Sequence, residues 1–131
     1  MWNVIADLVH NYAASGDLDL AMETLANALT AEPVWIPIAL VDERTEPLRQ
    51  RADFIAATAL PAEDGPAHFN AAAVALEHGQ INPAVAFMRR AFEIAQTDGS
   101  VSFLVEAVRN DEAFRPYLAH SELAGLIDAY A

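Results

Sequence analysis

The sequence predicts an all-α protein made of two helical hairpins, each followed by a short helical tail. Apolar residues recur at steps of three and four along four segments, which is the period of a helix face. The glycines that interrupt paired segments, Gly16 and Gly79, stand 63 positions apart. Two tails that pass from acidic residues to a proline repeat at a spacing of 69.

In the first hairpin, Trp2, Ile5, Leu8 or Val9, and Tyr12 trace one face of a helix. Residues 14–17 interrupt it. Gly16 suits the left-handed position just past a helix end, and Asp17 can cap the helix that follows. Leu18, Ala21, Leu25, Ala28 and Leu29 form the second stripe, and Pro33 stops it. A short connection between two amphipathic helices predicts an antiparallel hairpin.

The second hairpin opens after Pro66 with Phe69, Ala72 and Leu76 on one face, broken by residues 78–80. Asn82 before Pro83 predicts an N-cap with proline at the first helical position. Val85, Met88, Phe92 and Ala95 continue that helix, and residues 97–100 end it. Ala21 and Ala84, and Ala28 and Ala91, share the 63-residue offset of the turn glycines, so the hairpins are copies in register.

The tails span residues 34–49 and 103–118. Asp42-Glu43 lies 69 before Asp111-Glu112, and Pro47 lies 69 before Pro116. The step from 63 to 69 predicts a longer loop near residues 97–102. Apolar helices at 54–60 and 123–130 close the two tails. Residues 61–66, with two prolines and a glycine, read as the linker between unit one (1–60) and unit two (67–131) of one domain, 1–131.

These residues resemble the tetratricopeptide repeat (TPR). The family's pattern of a large apolar residue, an aromatic, a turn glycine, alanines and a proline is met by Leu8, Tyr12, Gly16, Ala21, Leu25, Ala28 and Pro33. In the second hairpin Gly79, Ala84, Met88 and Ala91 match, while Ala75 stands at the aromatic position and Val9, in the first, replaces a usually small residue. The tails resemble the end-of-group segments that close arrays of such helices. The resemblance spans nearly the whole chain and implies a TPR-like solenoid of stacked hairpins, with the tails as spacers and caps. It also implies a concave groove, lined by the first helix of each hairpin, that holds a partner's peptide or helix. That groove face would comprise Asn3, Ala6, His10 and Ala13 with Phe69, Ala73, Leu76 and Glu77. Family members that clamp acidic chaperone tails carry lysine and arginine at such positions. Those are missing here, so the expected partner is a protein presenting a basic or apolar helix or peptide.

Composition narrows the function classes. The 131 residues are 54% apolar, enough for a core. Nineteen acidic residues against seven basic give a net charge of -12, which repels nucleic-acid phosphates and anionic lipid. No cysteine is present, so disulfides, thiolate metal sites and a cysteine nucleophile are excluded. All seven basic residues are arginine, which excludes Schiff-base chemistry and a phosphate-loop lysine. No segment reads as a targeting or membrane-anchoring sequence: residues 1–16 lack a basic start, and Asp7 interrupts their apolar run. The expectation is a soluble cytoplasmic protein.

No catalytic constellation emerges. His10, His68, His78 and His120 form no metal-binding spacing, and Glu77 and His78, being adjacent on a helix, diverge by about 100°. No calcium loop, glycine-rich phosphate loop or nucleophile elbow occurs. The arginine pair Arg89-Arg90 faces Glu93, which suggests an intrahelical ion pair from Arg89. The expectation is therefore a protein without catalytic activity, cofactor or metal, acting as an interaction module. Two alternatives compete: an acidic inhibitor that masks a basic protein, and a self-associating structural protein using Trp2, Trp35 and Phe103.

Overall fold

The computed structural model describes residues 1–131 and is all-helical: eight α-helices and three short 3-10 segments, with no strand. The chain divides into two compact units, Met1–Ala59 and Leu60–Ala131.

In the first unit, α1 (Trp2–Ala14) and α2 (Leu18–Ala31) pack as a hairpin. The turn closes because Gly16 adopts φ +85°, a conformation open to a residue without Cβ. The Gly16 amide then donates to Ala13 O (3.0 Å) and the Asp17 amide to Tyr12 O (2.9 Å). This pair of bonds satisfies carbonyls that the ending helix would leave bare. The Asp17 carboxylate accepts from Leu20 N at 3.1 Å and caps α2. Trp2, Val9, Ala21, Leu25 and Leu29 are buried as the sequence predicts. Leu8 and Leu18 instead lie on the surface, because the buried stripe of α1 runs through Ala6 and Val9 and α2 adds Met22. After the 3-10 segment Pro33–Trp35 come α3 (Ile36–Val41), the 3-10 segment Glu43–Leu48 and α4 (Ala52–Ala57). Leu48 and Phe54 join the hairpin's core.

The second unit holds α5 (Gly65–Glu77), α6 (Ile81–Asp98), α7 (Val101–Asn110), the 3-10 segment Arg115–Tyr117 and α8 (Ser121–Tyr130). Its turn repeats the first bond for bond at the same offset: Gly79 has φ +70°, its amide donates to Leu76 O (2.9 Å), and the Gln80 amide donates to Ala75 O (2.8 Å). Gly65 and Pro66 belong to the first turn of α5, which Asp64 caps through Ala67 N (3.0 Å). The α6 start differs from the sequence expectation. Gln80 is the N-cap, and Pro83 is the third helical residue, where a missing N–H still costs no helical bond. The expected loop at 97–102 is also replaced by helix. The α6 helix has 18 residues against 14 in α2, and Gly99 (φ +81°) turns the chain directly into α7. Ala71, Ala72 and Ala75 on α5 let α6 approach closely, with Met88 and Phe92 filling the core. Phe92 stacks on Tyr130 at 4.6 Å, which ties α8 to α6.

No single helix is long and apolar enough to cross a membrane. The α2 helix and the segment Pro33–Val41 meet the length and composition together, but they are bent by 119° at the break.

Candidate functional site

The residues expected to form a groove face scatter between surface and core. Asn3, His10 and Glu77 are exposed. Ala6, Ala73 and Leu76 are buried, and Ala13 packs against the core of the first unit, so these four offer little or no surface to a partner. The reason is helix packing: the expected groove stripe on each helix includes buried positions on hairpins whose two helices pack together. Phe69 is half-buried, stacked on Phe114 at 5.2 Å. Of the eight positions expected on a groove face, Asn3, His10 and Glu77 are exposed and Phe69 is half-buried.

The densest polar arrangement lies in the first unit, centred on Asp42. This residue ends α3 in an extended conformation (φ -71°, ψ 128°), which turns its carboxylate toward the start of α1. Oδ2 accepts from Trp2 Nε1 (2.9 Å) and Arg44 Nη2 (2.7 Å); Oδ1 accepts from the Arg44 amide and Nε, both at 2.9 Å. The Arg44 guanidinium also reaches Asp7 Oδ1 and Asn3 Oδ1, each at 2.9 Å. Burial of Asp42 works to raise its pKa. The hydrogen bonds from Arg44 and Trp2 and the guanidinium charge outweigh it, and hold the carboxyl well below the usual carboxylate range. With four donors on two oxygens, Asp42 has no lone pair left for proton transfer, so the cluster joins α1 to the tail rather than serving as an acid or base. Beneath it Thr45, fully buried, donates toward Ala39 O (2.6 Å) and Asp42 O (2.8 Å), and Arg49 Nη2 donates to Asp42 O (2.7 Å).

The other candidates resolve into structural roles. His68 is buried with Nδ1 2.8 Å from Asp64 O, and His78 Nδ1 lies 2.9 Å from Val74 O; a carbonyl only accepts, so Nδ1 carries the proton in both. No three His, Asp or Glu side chains converge closely enough to hold a metal ion. Arg90, not Arg89, reaches Glu93 (4.0 Å), and it also donates to Ala62 O (2.9 Å) and pairs with Glu63 (3.3 Å). Ala62 and Glu63 lie in the segment just before α5.

The second unit carries an apolar cleft of about 220 Å³ between α5, α6 and α7. Pro66, Phe69, Ile94, Phe103 and Leu104 line it, with Asp98 the one charged residue in its wall. Phe103 is 75% exposed. Neither the Trp2–Asp42 cluster nor the cleft is evident from local pattern: periodicity places Trp2 on an apolar stripe, which hides its polar N–H, and Asp42 in a repeated tail. The cleft leaves a legible mark, since Gly65 stands 63 after Trp2, but that mark appears only when non-matching positions are compared. No family model, no curated protein and no solved structure matches the chain.

Proposed function

We propose that this chain is a non-catalytic protein–protein interaction module of TPR-like design, a small adaptor or scaffold for a partner with a basic or apolar helix or peptide. The observation that carries the reading is the large apolar side chain of Phe103, left 75% exposed beside an apolar cleft. A single exposed ring would carry no meaning, but here it continues the apolar wall of the cleft into one contiguous apolar surface, the kind that serves interaction. The hairpin turn repeated at 63 residues and the Asp42 and Asp111 turns repeated at 69 support the repeat design. The net charge of -12 assists encounter with a basic partner.

A second reading, an acidic inhibitor of a basic protein, draws on the arginines. Arg44, Arg51 and Arg90 are engaged in ion pairs with the chain's own carboxylates, so part of the positive charge is already neutralised. Affinity capture of the tagged full chain from a lysate of its source cells, at low and at high salt, separates the readings. A stoichiometric partner that survives high salt supports the adaptor. A partner lost at high salt supports the acidic inhibitor. Capture of nothing, or of further copies of this chain alone, overturns the adaptor reading.

A further inference from the structure

We propose that the α5–α6–α7 cleft is an anchor site for one aromatic side chain of a partner segment that carries a basic residue beside it. This deepens the interaction function proposed above and rests on it. The case begins with the internal repeat. At the offsets of 63 and 69, Gly65 and Leu104 stand where the first unit has Trp2 and Trp35. Those two indoles pack at 6.0 Å, and Trp2 is only 7% exposed. The first unit thus fills this place with an aromatic ring from its own chain. In the second unit a glycine stands at the Trp2 position and a leucine at the Trp35 position, Phe69 one turn on stacks on Phe114 instead, and the cleft lies beside them.

Size and lining set the chemistry. An apolar cavity of about 150 Å³ accommodates one benzene ring, whereas pockets for free drug-sized ligands run to about 300–1,000 Å³ and enclose most of the ligand. A cleft of about 220 Å³ with Phe103 standing exposed at its edge fits a single ring system held by a larger tether. Such a ring buries apolar area against Pro66, Phe69 and Ile94. Charge selects what flanks it. Asp98 Oδ1 accepts from Ser100 N (3.0 Å) and Oγ (2.5 Å), while its other oxygen makes no protein bond and the residue is exposed. The C-terminal end of α6 and the N-terminal end of α7 meet at the same place, so their dipoles offset and the Asp98 carboxylate sets the sign; no arginine lines the cleft. A cation beside the ring is favoured and a carboxylate is repelled.

The test uses the ¹⁵N-labelled full chain and a blocked peptide, acetyl-Ala-Arg-Trp-Arg-Ala-amide, with two controls in which the Trp becomes Ala or both Arg become Glu. The expected result is a saturable shift of the Phe103, Leu104 and Ala107 amides by the first peptide, at least tenfold weaker with either control. Phe103→Ser should weaken binding at least tenfold, and Asp98→Asn should remove most of the preference for the basic peptide. Gly65→Trp should abolish binding by refilling the cleft. A Cβ there meets Ile94 Cγ2 at an ordinary 3.5 Å, and Gly65 is not among the glycines of positive φ. If that variant fails to fold, Phe103→Ser, at an exposed position, decides. Equal shifts from the Ala control, or unchanged binding by Phe103→Ser, overturn the proposal. Tighter binding of tryptamine than of the peptide overturns the partner source in favour of a free aromatic amine. No shift from any peptide, alongside a salt-resistant partner in the capture experiment, defeats this inference and leaves the interaction function standing.

Discussion

The two tail turns share a backbone and oppose each other in chemistry. Asp42 and Asp111, 69 apart, each end a helix in the same extended conformation, with φ -71° and -82° and ψ 128° and 132°. Each carboxylate accepts from the amide two residues on, Arg44 at 2.9 Å and Ala113 at 2.8 Å. Beyond that bond they part. The first turn adds Arg44, Trp2 and a fully buried Thr45; the second has Ala113, Gly65 and a fully buried Phe114 at the equivalent places. Aromatic bulk has moved one helical turn, from Trp2 over Ala6 to Phe69 over Gly65. An Asx-type turn fixes the path of the chain, and the recess beneath it can be closed by a hydrogen-bonded charge or by stacked rings.

Both tryptophans lie in the first unit, so their fluorescence reports its unfolding, while amide resonances follow the second. The largest expected effect is Phe114→Ala, which removes a fully buried ring stacked on Phe69. It should destabilise the second unit by about 3–5 kcal/mol in urea unfolding, with the tryptophan transition displaced far less. Asp42→Ala should destabilise the first unit by about 2–4 kcal/mol, because Trp2 Nε1 and the half-buried Arg44 lose their acceptor. An effect no larger than that of Asp111→Ala would break the contrast between a buried network and a simple turn.

Acid sharpens the same contrast. The folded Asp42 carboxyl lies well below its unfolded value of about 3.9. Between those values the unfolded chain binds the extra proton, so this contribution is complete above about pH 5 and falls away as the pH drops through the folded value. The tryptophan-detected urea midpoint should fall steeply between about pH 4 and pH 2, and Asp42→Asn should flatten that fall. Where the units are alike, variants should be alike: Gly16→Ala and Gly79→Ala each force a Cβ into left-handed backbone and should cost about 1–2 kcal/mol apiece. The smallest effect is expected for Asp111→Ala, about 0.5–1 kcal/mol, the loss of one Asx bond at a half-buried position.

Helix periodicity and turn chemistry determined the helices and their breaks. Gly16 and Gly79 had to sit at turns, because only their backbone reaches that conformation without strain, and Asp17 had to cap, because a carboxylate satisfies a free helix amide. The repeat at 63 was legible for the same reason: turn bonds depend on residues within six positions of one another. Tertiary structure decided the rest. It placed Leu8 and Leu18 outside and Ala6, Ala73 and Leu76 inside, since which edge of a stripe is buried depends on the helix packed against it. It extended α6 by a turn where the composition of residues 97–100 suggested a loop. It joined Trp2 to Asp42 across 40 positions and left a cleft beside Gly65. Neither has a local signal, because a long-range hydrogen bond and an unfilled volume exist only once separate helices come together.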